Sequence, residues 1–396
     1  MPRPQIDRSL RGRVAVVGIG ETKYYRHGAS PDPEFKLALK AILAACEDAG
    51  LDPREIDGFS SYGDDRSEAS RLAAALGTNR LRTATMQWGG GGGGCCAAVA
   101  NAAASIVAGL ADCVVVFRSL AQGQYGRFGQ TDGISTIFGE KAYLMPYGVL
   151  APPQRFAMRV RRYMHEHGVR QEALRAIALA SYHHAQANPR AVMRKPLDPE
   201  KYDASRWIVE PFHLYDCCME NDGAAAIVLV SEERAKDFRR KPAYVLGAAV
   251  GSGYRTGAIP HNSPRYASAS FETVAPDLYR MARIGPSDVG VVQAYENFTG
   301  GVVMALAEHG FFKPEEANDF LTVENLTAPL GRLPLNTSGG NLAECYMHGF
   351  ELVLEAVRQV RGVSTNQVKR SDVAMVIGGP MVTPASNLML GSEVTL

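Results

Sequence analysis

No run of about 18 consecutive apolar residues occurs anywhere in the 396-residue chain, so no membrane-spanning helix is expected. The charged N-terminus, MPRPQIDRSLRGR, has no apolar stretch behind it long enough for the core of a signal peptide. Charge excess is missing too. Lys plus Arg is 42 and Asp plus Glu is 41. That balance offers no basic stripe to a nucleic acid and no electrostatic pull towards an anionic membrane. There is no C-x-x-C spacing. The seven cysteines are odd in number and include two adjacent pairs, Cys95-Cys96 and Cys217-Cys218, which excludes a simple disulfide framework and a zinc site of the usual spacing. Reduced thiols in a cytoplasm are the expectation. The glycine run is not followed by G-x-x-x-x-G-K-[ST], and the early Gly18-Ile19-Gly20 is not part of a G-x-G-x-x-G fingerprint. Phosphate-loop and dinucleotide chemistry have no support.

What is present is ordinary material for a large core. Apolar residues make up 46% and charged residues 21%, and the length suits two or three domain-sized units. Val14-Ala15-Val16-Val17 running into Gly18 reads as a strand buried on both faces. Residues 35–49 read as an amphipathic helix ended by Gly50. Residues 56–62 make a second strand, 67–76 a helix, and 83–88 a short strand feeding six glycines, Gly89 to Gly94. An alanine-rich helix over 95–109 and a buried strand over 113–117 follow. Strand and helix alternate, which predicts a layered α/β fold.

The second half repeats the first. Residues 242–253 are strand-like, 271–284 helical, and Pro286-Ser287-Asp288-Val289 leads into a strand as Pro53-Arg54-Glu55-Ile56 does. Thr337-Ser338-Gly339-Gly340 precedes a long predicted helix through about Val360, which places Tyr346 and His348 on that helix. Residues 373–377 mirror 113–117. Such a repeat implies duplication and a pseudo-twofold axis, with the two glycine-to-helix junctions meeting near it. The organisation expected is an N-terminal half over 1–117 and 220–238, an inserted loop domain over 118–219, which carries helices over 156–167 and 171–187, and a C-terminal half over 239–396.

Several separated stretches now carry a resemblance: WGGGGGGCCAAVANAAASIVAGLADCVVV, QAYENF with NTSGGNLAECYMHG, VAMVIGGP, and, in the loop region, LYDCCMENDGAAAIVL and RRYMHEHGV. Their order and duplicated setting resemble the thiolase superfamily, most nearly its sterol-carrier (lipid-transfer) type, from Val14 to the C-terminus. The resemblance implies a five-layer αβαβα thiolase fold of two related halves. Thiolases of that type use a cysteine nucleophile at the start of the buried helix, a histidine in G-H-P, a second cysteine in C-x-G-x-G, and an Asn or His in N-E-A-F or H-D-C-F. Carried over, those positions fall on Gly92, Tyr346, Val376 and Tyr295. All four side chains are changed. The thiolase-like aldolases of steroid side-chain degradation are similar in lacking the cysteine and presenting a tyrosine pair.

That branch implies retro-aldol cleavage of a β-hydroxyacyl-CoA, a steroid with a 17-hydroxy-20-carboxyl-CoA side chain, to a ketosteroid and propionyl-CoA. A thiolase must attack a ketone covalently, whereas a retro-aldol step needs only acid–base catalysis and stabilisation of an enolate. Tyr295 and Tyr346 are the candidates for the first task. The backbone N–H groups at Gly92 and Gly378 are candidates for the second. His348, Glu296, Glu344 and Asn297 are candidate supports. The resemblance further implies a homodimer, and an OB-fold/zinc-ribbon companion that completes a heterotetramer. No metal or redox cofactor is implied; coenzyme A is part of the substrate. Two rival readings remain: a thiolase or acyltransferase acting through Cys95 or Cys96, and a thiolase-like scaffold without chemistry.

Overall fold

Strand β1, Val14–Glu21, is apolar on both faces because it lies mid-sheet, against Asn221–Ser231 on one side and Ala243–Gly251 on the other. The computed structural model describes residues 9–63, 65–125, 142–253 and 265–396. Its other principal strands are β2 (Gly58–Tyr62), β3 (Thr83–Gln87), β4 (Cys113–Ala121), β5 (Asn221–Ser231), β6 (Ala243–Gly251), β7 (Val291–Ala294), β8 (Val373–Gly378) and β9 (Ala385–Gly391). Among the described residues they form one sheet path, β7-β8-β9-β6-β1-β5-β4-β2-β3.

The duplication is visible in the pairing. Outward from the seam between β1 and β6, each half runs antiparallel, antiparallel, parallel: β1-β5-β4-β2 and β6-β9-β8-β7. In the first half β3 continues in parallel beside β2. In the second, among the described residues, the parallel bridge of Val292 to Leu335 occupies that place. At the seam Ala15 pairs with Tyr244 and Val16 with Ala243, and the Gly12 N–H donates to the Val245 carbonyl at 2.9 Å.

Helices complete five layers. Helix α1 (Glu34–Ala49) covers the outer face of β1, β4 and β5, with α2 (Ala69–Leu76) beside it, and the later α6 (Val274–Ala282) covers β6 and β9. The alanine-rich α3 (Gly94–Val107) and α9 (Phe350–Arg361) lie between, packing against strands of both halves. Small side chains allow α3 this central place. A Cβ on Gly94 would come within 2.6 Å of the Tyr62 Cβ. Burying one CH₂ is worth about 0.8 kcal/mol, so two apolar cores of this extent dominate the fold's stability. Strand β4 runs to Ala121 and β5 starts at Asn221, so among the described residues the excursion from the sheet covers 122–125 and 142–220. It includes α4 (Pro152–His167) and α5 (Gln171–Ala187).

The second-half helix differs from expectation. It is not continuous from Gly340 to Val360. After α7 (Thr299–Glu308), a four-residue α8 (Gly340–Ala343) is followed by six non-helical residues before α9 begins at Phe350. His348 at φ +57° and Gly349 at φ +87° are left-handed, which stops a right-handed helix. Buried groups from elsewhere satisfy the freed backbone. The Tyr346 N–H donates to Asn221 Oδ1 at 2.5 Å and the Met347 N–H to Glu351 Oε2 at 3.1 Å. Tyr346 and His348 therefore sit in this break, not on a helix. The junction that reaches the first glycine run is Gly349, whose Cβ would lie 3.4 Å from Cys95 Sγ. Gly340 instead abuts the Glu296 carboxylate.

Candidate active site

Tyr295 emerges at the carboxyl end of β7, the end at which open parallel sheets present ligand sites. Its N–H donates to the Ile377 carbonyl at 2.9 Å, extending the pairing of β7 with β8. The preceding Ala294 is clamped by Asn336, whose side chain accepts from the Ala294 N–H at 2.7 Å and donates to its carbonyl at 2.9 Å. The phenol is thus aimed by a strand, and Tyr346 reaches it from the helix break. The two hydroxyls stand 2.7 Å apart with ring centroids at 6.0 Å. Tyr295 is 3% exposed and Tyr346 6%.

Gly92 closes the other side. It belongs to a tight turn, Gly91–Gly93, that opens α3, and a Cβ on it would lie 2.5 Å from the Tyr295 hydroxyl oxygen. The first turn of a helix has N–H groups without partners inside the helix and carries partial positive charge. Gly92 therefore brings the positive end of the central helix to the phenol pair. His348 completes the cluster. Its ring centroid is 5.7 Å from that of Tyr346, 6.4 Å from that of Tyr295, and 5.8 Å from the stacked ring of Tyr62.

The other sequence candidates are placed differently. Gly378 ends β8 against Cys95, whose Sγ would be 2.6 Å from a Cβ there. Asn297 accepts the Cys218 N–H on its carbonyl at 3.0 Å, and its side-chain oxygen takes the Phe298 N–H at 3.0 Å. Glu296 turns away from the phenols, beside Gly340 and Ser181. Glu344 also points elsewhere, accepting from Asn188 at 2.9 Å and facing Arg190 at 3.5 Å. Gly92, Tyr295, Tyr346 and His348 are brought together; Glu296 and Glu344 are not.

Burial sets the protonation states. It pushes both phenols well above their ordinary value; Cys218 and Glu351 raise both further, while the bond between the phenols raises Tyr295 and lowers Tyr346. Both are neutral hydroxyls at pH 7. Burial, reinforced by Arg118, holds His348 well below the usual imidazole range. Burial also raises Glu296 to about 8 and Glu344 to about 7.

Arg118, Tyr62, Asn221 and Glu351 were not singled out by the sequence pattern. Arg118 had one readable signal, a charge that follows directly on the apolar run of β4. The other three contribute through contacts with residues far along the chain. Cys95 and Cys96 are fully buried, with Sγ atoms 3.8 Å apart, and burial raises the Cys96 thiol well above its ordinary value. Among the described residues no group of three His, Cys, Asp or Glu is placed to hold a metal, and no helix is long and apolar enough to cross a membrane. A pair of hydrogen-bonded neutral phenols beside a helix N-terminus can pass a proton and stabilise an oxyanion.

Known proteins resemble this chain over nearly its whole length. A family profile described as "Thiolase C-terminal domain-like" matches residues 253–391. The chain is 39% identical to a steroid side-chain-cleaving aldolase of Thermomonospora curvata, over 97% of this chain and 99% of that one. It is 36% identical to a 17-hydroxy-3-oxo-4-pregnene-20-carboxyl-CoA lyase of Mycobacterium tuberculosis, over 96% and 100%. Among solved structures, an Ltp2-ChsH2(DUF35) aldolase superposes with a TM-score of 0.88 at 38% identity, covering 97% of this chain and 99% of that one.

Proposed function

The chain belongs to the thiolase superfamily, among its steroid side-chain-cleaving aldolases, and on that footing we propose that it is a carbon–carbon lyase acting on a β-hydroxyacyl-CoA. The substrate is a steroid with a 17-hydroxy-20-carboxyl-CoA side chain, the class named for the mycobacterial relative. The products are a 17-ketosteroid and propionyl-CoA. The observation that carries this reading is the phenol pair, 2.7 Å apart, where Gly92 leaves no side chain to attack a carbonyl.

In this mechanism the substrate's C17 hydroxyl proton passes to one phenol oxygen, and the C17–O bond becomes a carbonyl. The C17–C20 bond breaks, and its electron pair moves onto the thioester as an enolate. The first phenol hands its own proton across the 2.7 Å hydrogen bond to the second, whose proton goes to C20. Protons and electrons balance, and each tyrosine ends as it began. A relay of this kind suits phenols held neutral by burial, because no phenolate accumulates. The enolate oxygen is stabilised by the N–H groups around Gly92, an effect typically worth about 3–4 kcal/mol per donor.

Further elements of the proposal concern assembly. A homodimer is supported by β3, the terminal strand of the sheet path, beside which Met86 and Trp88 are exposed, Trp88 by 89%. A companion of the OB-fold/zinc-ribbon type, giving a heterotetramer, is supported by the two-protein name of the matching aldolase structure and by exposed Tyr125, Tyr143 and Tyr147 on this chain. A cytoplasmic location is supported by seven free cysteines. The deciding experiment supplies a tertiary β-hydroxyacyl-CoA steroid to the protein, with and without such a companion, and follows propionyl-CoA and ketosteroid by chromatography. Absence of both products in both arms sinks the reading.

A further inference from the structure

Arg118 lies at the heart of the molecule, 2% exposed, on a strand that is otherwise apolar through its first five residues. A buried guanidinium is costly unless its charge and its donors are used. One Nη donates to the Tyr62 carbonyl at 2.7 Å and faces Asp65 at 3.4 Å. The other Nη stands 3.1 Å from His348 Nδ1. Anchoring a carbonyl and pairing with Asp65 would be reason enough for an arginine, but that account leaves the third contact unused. It also leaves unexplained why His348 is held in a left-handed conformation, φ +57°, which a non-glycine residue adopts only under constraint.

The third contact has a definite chemical meaning. A guanidinium has donors only. His348 Nδ1 must therefore accept, so the single proton of the neutral ring is on Nε2. A second proton on Nδ1 would set two donors and two positive charges against each other at 3.1 Å. The ring edge that carries Nε2 faces the glycine turn: a Cβ on Gly91 would lie 3.5 Å from Nε2, and one on Gly63 3.4 Å from Cε1. Tyr62, stacked on the imidazole, donates its hydroxyl to the His348 carbonyl at 3.0 Å and so fixes the strained residue from its other side.

We propose that Arg118, itself anchored by Asp65, is a positioning residue that locks His348 as the neutral Nε2–H tautomer, and that this N–H is a hydrogen-bond donor to the thioester oxygen of the substrate at the Gly91–Gly92 turn. The identity of the acceptor rests on the aldolase reading; the tautomer does not. The neutral ring stabilises the developing enolate without protonating it, and leaves the proton for C20 to the phenol relay.

The test has two independent halves, both on the full-length protein. With histidine labelled in ¹⁵N, spectra of wild type and His348→Gln identify the His348 signals by difference. An unprotonated Nδ1 and a protonated Nε2, unchanged from about pH 5.5 to about 8, are expected. The charge-compensated pair Asp65→Asn with Arg118→Gln should mix the tautomers and lower kcat by about tenfold or more. A protonated Nδ1 in wild type, or a His348 signal indifferent to that pair, overturns the lock. Should the pair fail to fold, the wild-type spectrum alone decides. For the donor, His348→Phe should lose roughly 10²–10³ in kcat, as single oxyanion donors do, with His348→Gln recovering part through its amide N–H. Full turnover by His348→Phe overturns the donor role. Failure of the aldolase reading would look different: wild type forms no product while the histidine spectra stay as expected.

Discussion

The ring of Tyr295 fills the space that any side chain on Gly92 would need. A Cβ at position 92 would come within 2.5 Å of the Tyr295 hydroxyl oxygen. A side chain bearing a thiol at position 92 and the Tyr295 ring therefore exclude one another. Gly92→Ala should lower the melting temperature by several degrees, since overpacking a core costs about 1–3 kcal/mol. Adding Tyr295→Ala should remove most of that penalty. Strictly additive melting shifts in the double variant would show that the two residues do not compete for space.

Removing either phenol oxygen should disable the relay while sparing the fold. Tyr295→Phe and Tyr346→Phe each delete one partner of a single hydrogen bond. Each should lose roughly 10²–10³ in turnover, the range of a general acid or an oxyanion donor. Circular dichroism should be unchanged. Wild-type product formation in both variants would remove the tyrosines from the chemistry.

Cys95 and Cys96 should be dispensable. Both are fully buried, and burial keeps the Cys96 thiol protonated. Cys95→Ala and Cys96→Ala should keep turnover within about threefold, losing at most the packing of a small buried group. Iodoacetamide should react slowly and without protection by an acyl-CoA. Rapid inactivation that an acyl-CoA prevents would instead favour a cysteine nucleophile.

Glu296 should make stability fall as pH rises. Its folded value is about 8, against an ordinary 4.5, so the folded protein holds a proton that the unfolded chain releases. Its favourable contribution is complete below about 4.5 and is lost as pH climbs through about 8. The melting temperature of Glu296→Gln minus that of wild type should therefore grow from about pH 5 to about 8. A constant difference would mean that the carboxyl is already ionised in the fold.

Much of the architecture was legible because it is written in local pattern. The apolar run at Val14, the glycine run before Cys95 and the second buried strand at Val373 mark matching places in the two halves. Tyr295 could be located because it follows such a strand directly. The helix break at Glu344 to Gly349 could not be read the same way. What stabilises it includes the side chain of Asn221, 125 residues away in sequence, and no local spacing reports that contact. Arg118 is masked in the sequence for a related reason: a charge beyond an apolar run reads as the end of a strand, whereas β4 continues to Ala121. Glu296 and Glu344 are candidates only by nearness to the tyrosines in sequence: Glu296 follows Tyr295 off a strand, where successive residues face opposite ways, and Glu344 closes the short helix α8, so both carboxyls point elsewhere.

The seam between the halves is short, yet the site is drawn from both sides of it. Gly92, Tyr62 and Arg118 come from the first half, and Tyr295, Tyr346 and His348 from the second. A nascent chain that has completed only its first half owns the cation and the glycine turn but not one phenol of the pair. The phenol pair and the buried cation beside it thus come together only once the two copies have closed on each other.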